Sequence, residues 1–174
     1  MCAPPLNGRP GGAISSGQMQ LTIDNEASTA MSRLTAIRLA LLTSRAMENW
    51  RADVGDNESA MILLAVVAIS GERLTRIDLP EPYRNVTTPL PPGLAAGCNI
   101  SSIASATGLN RETTRRKVSS LIERGYLDRS EGGEICFPPS RQQDPATLEF
   151  VRKQLEAVAR FANDALRDGV LKAA

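Results

Sequence analysis

The chain has 174 residues, 42% of them hydrophobic and 22% charged, with a formal net charge of +1. This is ordinary for a soluble globular protein and enough for one domain with a real core, or a small domain with helical extensions. It excludes a polycation, so any attraction to nucleic acid must come from a local patch.

Aromatic residues make up only 3% of the chain, so the core must be built from aliphatic residues and alanine, which favours helices. There is no histidine. That removes the commonest general base, the usual catalytic triads and most zinc sites. Cys2, Cys98 and Cys136 lack metal-ligand spacing. The expectation is a protein that is no enzyme and needs no cofactor. The opening MCAPPLNGRPGG has no basic stretch followed by an apolar run, so no targeting signal is visible. The longest apolar run, Ala60 to Ile69, is about half of the ~20 residues a membrane span needs. It reads as a buried helix, and a cytoplasmic protein without membrane contact is expected.

In chain order, residues 1–24 are rich in Gly, Pro, Ser and Asn and read as a disordered tail. A helix is expected from about Glu26 to Arg51. Ala30, Leu34, Ile37 and Leu41 fall on one stripe of it, widened by Leu39, Leu42, Ala46 and Trp50. Asp53 to Asn57 is a turn, and Asp56 or Asn57 can cap a second helix running to about Ser70, with Gly71 ending it. That helix is apolar nearly all round and should be central. These two helices define a helical N-terminal part, residues 25–72. Residues 73–97 carry Pro80, Pro82, Pro89, Pro91 and Pro92, which break regular elements. The stretch is a surface strap, a linker or a lid.

From Cys98 the pattern sharpens. Cys98 to Ile100 suits a short strand, and Ser101 or Ser102 starts a helix carrying Ile103 and Ala104. Thr107-Gly108-Leu109 is a tight turn. Asn110 caps a helix from Arg111 to about Arg124 with Val118, Leu121 and Ile122 on its apolar stripe, and Gly125 ends it. Tyr126 to Arg129 and Glu134 to Phe137 read as two strands joined by Ser130-Glu131-Gly132-Gly133. Asp144-Pro145 then starts a last helix, within residues 144–171. Its Leu148, Val151, Leu155, Val158, Ala162 and Ala165 make a heptad seam suited to dimerisation.

Strand, helix, tight turn, helix and two-stranded wing, spanning residues 98–140, is the order of a winged helix-turn-helix, whose second helix enters the DNA major groove. IASATGLNRETTRRKVSSLIERGYLDRSEGG resembles that element of bacterial transcriptional regulators. The run Asn110-Arg111-Glu112-Thr113 followed by Arg116 looks most like the recognition helix of the cyclic-AMP receptor protein family. The Gly, aromatic, Leu, Arg, wing run also looks like the MarR and IclR types, and the helices flanking the wing resemble the MarR arrangement. The first resemblance implies base reading by Arg111, Glu112 and Arg116 and phosphate contact by Thr113. That family's N-terminal β-roll is absent from the pattern here, so its cyclic nucleotide is not carried over. The proline-rich stretch fits neither type. Thr114 and Lys117 stand where the pattern usually has apolar residues, and Lys117 can snorkel to phosphate.

Beside these, Arg115 on the helix, Arg129 on the wing and the Ser101 hydroxyl are candidate DNA contacts. The plain alternative for the helix is a solvated face with a Glu112–Arg116 pair. Cys98 and Cys136 fall on neighbouring strands, where buried reduced thiols are far commoner in a cytosolic protein than a redox pair. The expectation is a mainly α winged helix-turn-helix with flanking N- and C-terminal helices. Its expected role is a homodimeric, sequence-specific regulator of transcription bound to double-stranded DNA. The alternative is a winged-helix protein-interaction module in a larger assembly without direct DNA binding. No small-molecule effector can be named from the residues.

Overall fold

The computed structural model describes residues 20–91 and 93–173, and the fold is mainly helical. Strand β1 (Leu21–Ile23) leads into α1 (Asn25–Ala30), α2 (Ser32–Val54) and α3 (Asn57–Gly71). The proline-rich stretch follows, then α4 (Ile100–Thr107) and α5 (Arg111–Glu123). A hairpin of β2 (Asp128–Arg129) and β3 (Ile135–Cys136) precedes α6 (Pro139–Gln142), α7 (Pro145–Arg167) and β4 (Leu171–Ala173). Among the described residues, no single helix is long and apolar enough to cross a membrane.

The expected tail to residue 24 is corrected at its end. Leu21–Ile23 pairs antiparallel with Leu171–Ala173, and Asp24 caps α1 through the Ala27 amide at 2.7 Å. Lys172 Nζ also bonds Asp24, tying the two ends of the described chain together. Residues 1–19 lie outside the described residues. The single helix expected from Glu26 is broken at Met31. The Ser28 and Thr29 hydroxyls bond back to Asn25 O at 3.0 and 2.8 Å, which competes with a continuous helix.

Helix α3 starts as expected, with Asp56 accepting from the Ser59 amide. It does not stop before Gly71, whose φ of −91° is right-handed, and the chain tightens into a 3-10 turn over Glu72–Arg76. As its composition requires, α3 is central. Its Ala60, Ile62, Leu63 and Val66 are buried together with Ile103 of α4, Val118 and Leu121 of α5, and Leu127 and Ile135 of the hairpin. Fully burying aliphatic side chains of this kind is worth roughly 1.5–3 kcal/mol each.

The described residues of 73–97 form a strap rather than a structureless linker. A second 3-10 turn spans Glu81–Arg84, and Arg84 pins it by donating to Leu79 O at 2.7 Å and Asp78 at 3.0 Å. Leu94 anchors its far end in the interior.

Helices α2 and α7 pack antiparallel, with Arg38 beside Asp164, Ala46 O bonded by Gln154, and Trp50 against Phe150 edge-to-face at 4.5 Å. This pairing does not cover the two apolar stripes. Leu34, Ile37 and Leu41 on α2, and Leu148, Val151, Leu155 and Val158 on α7, all remain exposed. Of the expected seam only Ala165 is fully buried.

Candidate nucleic-acid interface

The local chemistry of residues 98–137 sets the site's geometry. Cys98 forms a two-way backbone bridge with Ile135, at 2.9 and 2.7 Å, so it joins the hairpin as a one-residue third strand. The expected strand to Ile100 is shortened because Asn99 begins the helix cap. Asn99 Oδ1 accepts from the Ser102 amide at 2.9 Å, and Ser102 Oγ accepts from the Asn99 amide at 3.2 Å. This reciprocal capping box replaces the expected start at Ser101 or Ser102. It leaves the Ser101 side chain exposed in the first turn of α4.

Gly108, at φ +69°, turns the chain between α4 and α5. Asn110 then caps α5 by accepting from the Glu112 amide at 2.8 Å. Thr114, at an expected apolar position, is fully buried, and its hydroxyl donates to Asn110 O at 3.0 Å. A buried hydroxyl paired this way avoids the penalty of an unmet donor. Gly125, at φ +74°, ends the helix, and Tyr126 N returns to Leu121 O at 2.9 Å. The hairpin tip closes through Gly133 N to Ser130 O at 2.9 Å, and Arg129 reaches across it to Gly133 O at 3.2 Å.

Three expected contact residues from three different elements meet here. Ser101 of α4, Arg111 of α5 and Arg129 of β2 line one open recess of about 430 Å³ with Asn99 and Gly133. The N-terminus of α4 opens on the same recess, and its partial positive charge adds to the two guanidinium groups. Arg116 is exposed further along α5, and Thr113 is half-buried.

Two residues are arranged differently. Glu112 pairs with Arg115 rather than with Arg116, through Arg115 Nη2 at 2.8 and 2.9 Å from its two oxygens. The hydrogen bonds from Arg115 hold the Glu112 carboxyl below its ordinary range and keep it ionised. Lys117 is withdrawn from the recess. Its Nζ lies 2.8 Å from Asp56 and 3.4 Å from Glu58, and its side chain is 18% exposed. The ammonium ties α5 to the start of α3. Burial alone would raise the Asp56 carboxyl, but the bonds from Lys117 and from the Ser59 amide and hydroxyl prevail and bring it to about 2.

Sequence reasoning missed Asn99, although Asn-x-x-Ser is a readable capping box. It also missed Arg124 and Arg141, whose guanidinium groups lie 4.9 and 4.2 Å from the Tyr126 ring centroid. No short-range pattern announces that stack. Cys98 and Cys136 are free thiols, and burial pushes both pKa values up, which makes them poor thiolates at neutral pH. No known family model matches the chain, and no curated protein or solved structure is significantly similar to it.

Proposed function

We propose that the protein is a sequence-specific DNA-binding regulator of transcription of the winged helix-turn-helix kind, acting as a homodimer. The observation that carries this reading is the convergence of Ser101, Arg111 and Arg129 on one recess beside the exposed face of α5. A hydroxyl, two guanidinium groups and a helix N-terminus suit a phosphate backbone. Arg116, about a turn and a half further along α5, then faces base edges when α5 lies in the major groove. Glu112 and its partner Arg115 offer an acceptor and a donor side by side, and a carboxylate there can accept from cytosine N4.

The open apolar stripes of α2 and α7 support the homodimer. A second copy would cover them and set two reading helices on one face of the duplex. The same stripes favour a second reading, an interaction module in a larger assembly without DNA contact. Fluorescence anisotropy of a labelled random duplex pool, followed by sequencing of the bound fraction, separates the two. A DNA reader enriches a two-fold symmetric motif and loses affinity steeply with salt as counterions are released. Absence of duplex binding at low salt would leave only the interaction module.

A further inference from the structure

We propose that the cleft between α3, the proline-rich strap and the start of α7 binds a small uncharged molecule with an apolar body and one carbonyl or hydroxyl acceptor. The cleft measures about 360 Å³, within the range of roughly 300–1,000 Å³ typical of small-molecule sites. Its walls come from segments distant in sequence: Trp50 of α2, Val67 of α3, Leu74 and Leu90 of the strap, Phe137 after β3 and Phe150 of α7. The strap therefore serves as a wall. Val67 lines this space from α3 and is 39% exposed, while Leu63 and Val66 beside it are buried in the core.

The polar groups in the cleft select the ligand's chemistry. Gln142 Nε2 is committed to Phe137 O at 3.1 Å, and Thr147 Oγ1 to Arg141 O at 2.6 Å. Arg141 Nη2 donates to both oxygens of Asp53, at 2.9 and 3.2 Å. Arg141 Nε, by contrast, is buried without any acceptor, the one such side-chain atom found among the described residues. A buried donor of a charged group is costly to leave unmet, and a ligand acceptor entering the cleft that Arg141 lines would satisfy it once the guanidinium shifts slightly off the Tyr126 ring. Asp53 already balances the Arg141 charge, so a carboxylate ligand would place a second anion beside it. An uncharged acceptor brings no such repulsion.

The test uses the intact chain and no DNA, so it stands apart from the regulatory reading. The probe is 6-propionyl-2-dimethylaminonaphthalene, an uncharged naphthalene ketone. Trp50 is the only tryptophan and lines the cleft, so its quenching reports that the probe is bound nearby, and the cleft-filling variants locate it. Saturable one-to-one binding is expected, with blue-shifted probe emission and quenching of Trp50 by energy transfer. Val67→Phe, which narrows the cleft, should weaken binding at least tenfold, and Ala146→Leu from the opposite wall should do the same if the first variant fails to fold. Arg141→Met should weaken it several-fold. The anionic 1-anilinonaphthalene-8-sulfonate should bind at least tenfold more weakly than the ketone. No saturable binding, or full binding in a folded cleft-filling variant, would overturn the site. Unchanged binding in a folded Arg141→Met protein, or equal binding of the sulfonate, would overturn the ligand class.

Discussion

Lys117 Nζ, near the middle of α5, lies 2.8 Å from Asp56 Oδ1, the side chain that caps α3. One carboxylate thus starts one helix and anchors another. The pair joins α5 to the central helix beside their shared apolar core.

Two substitutions test that pair. Asp56→Ala removes the cap and the partner of Lys117 together, and loss of a cap typically costs about 0.5–2 kcal/mol. Lys117→Met keeps the cap and removes only the ion pair. Urea denaturation should show the smaller loss for Lys117→Met. DNA affinity, if Lys117 makes no phosphate contact, should change far less than in the Arg111→Ala protein.

The same carboxyl gives a pH dependence. Its folded-state pKa of about 2 lies below the ordinary 3.8, so its contribution is fully present above about pH 4. As pH falls from there through 2, the folded state must take up the proton less readily than the unfolded chain, and that contribution is lost. With Asp56 42% exposed, solvent screening holds the effect to about 1 kcal/mol. Melting temperatures between pH 5 and pH 2 should fall less steeply for Asp56→Asn than for the parent. Parallel curves would remove Asp56 from the account.

Arg111 and Arg129 should behave as positioning contacts at the recess. Each alanine variant should weaken binding to all duplexes, and the slope of log affinity against log salt should fall by about 0.9 per lost phosphate contact. Arg116→Ala should instead cost about 1–3 kcal/mol on the preferred site and relax specificity there. A loss at Arg111 confined to one operator sequence would make it a base reader, as the family resemblance implies.

Tyr126 docks the hairpin on α2. Its hydroxyl donates to Asp53 O at 2.6 Å, with Arg124 and Arg141 against its ring. Tyr126→Phe removes only the hydrogen bond and should cost about 0.5–1.5 kcal/mol. Tyr126→Ala removes the stacking surface as well and should cost more. Equal losses would show that the ring contributes nothing.

The assembly is tested on α7. Leu155 and Val158 are 62% and 51% exposed, so Leu155→Glu with Val158→Glu should leave the protomer folded. Sedimentation should then give monomers where the parent gives dimers, and tight operator binding should fall with them. A parent that sediments as a stable monomer at micromolar concentration would defeat the proposal.

The residues by themselves determined what depends on short-range geometry. Asp56, Asn110 and Asp144 announced three helix starts, Gly108 and Gly125 two turns, and the apolar spacing of Val118 and Leu121 the buried face of α5. Each rests on contacts a few residues apart, which a linear pattern records. The same reading placed Ser101, Arg111 and Arg129 as contacts without bringing them together. Only the tertiary structure put them on one recess, because the bridge between Cys98 and Ile135 folds the hairpin back beside α4. Tertiary structure also drew Lys117 to Asp56, paired Leu21–Ile23 with Leu171–Ala173 and turned the proline-rich stretch into a cleft wall. These partners lie tens to more than a hundred residues apart. Nothing in the local periodicity of either partner specifies the other, and the choice falls to the packing of the whole chain.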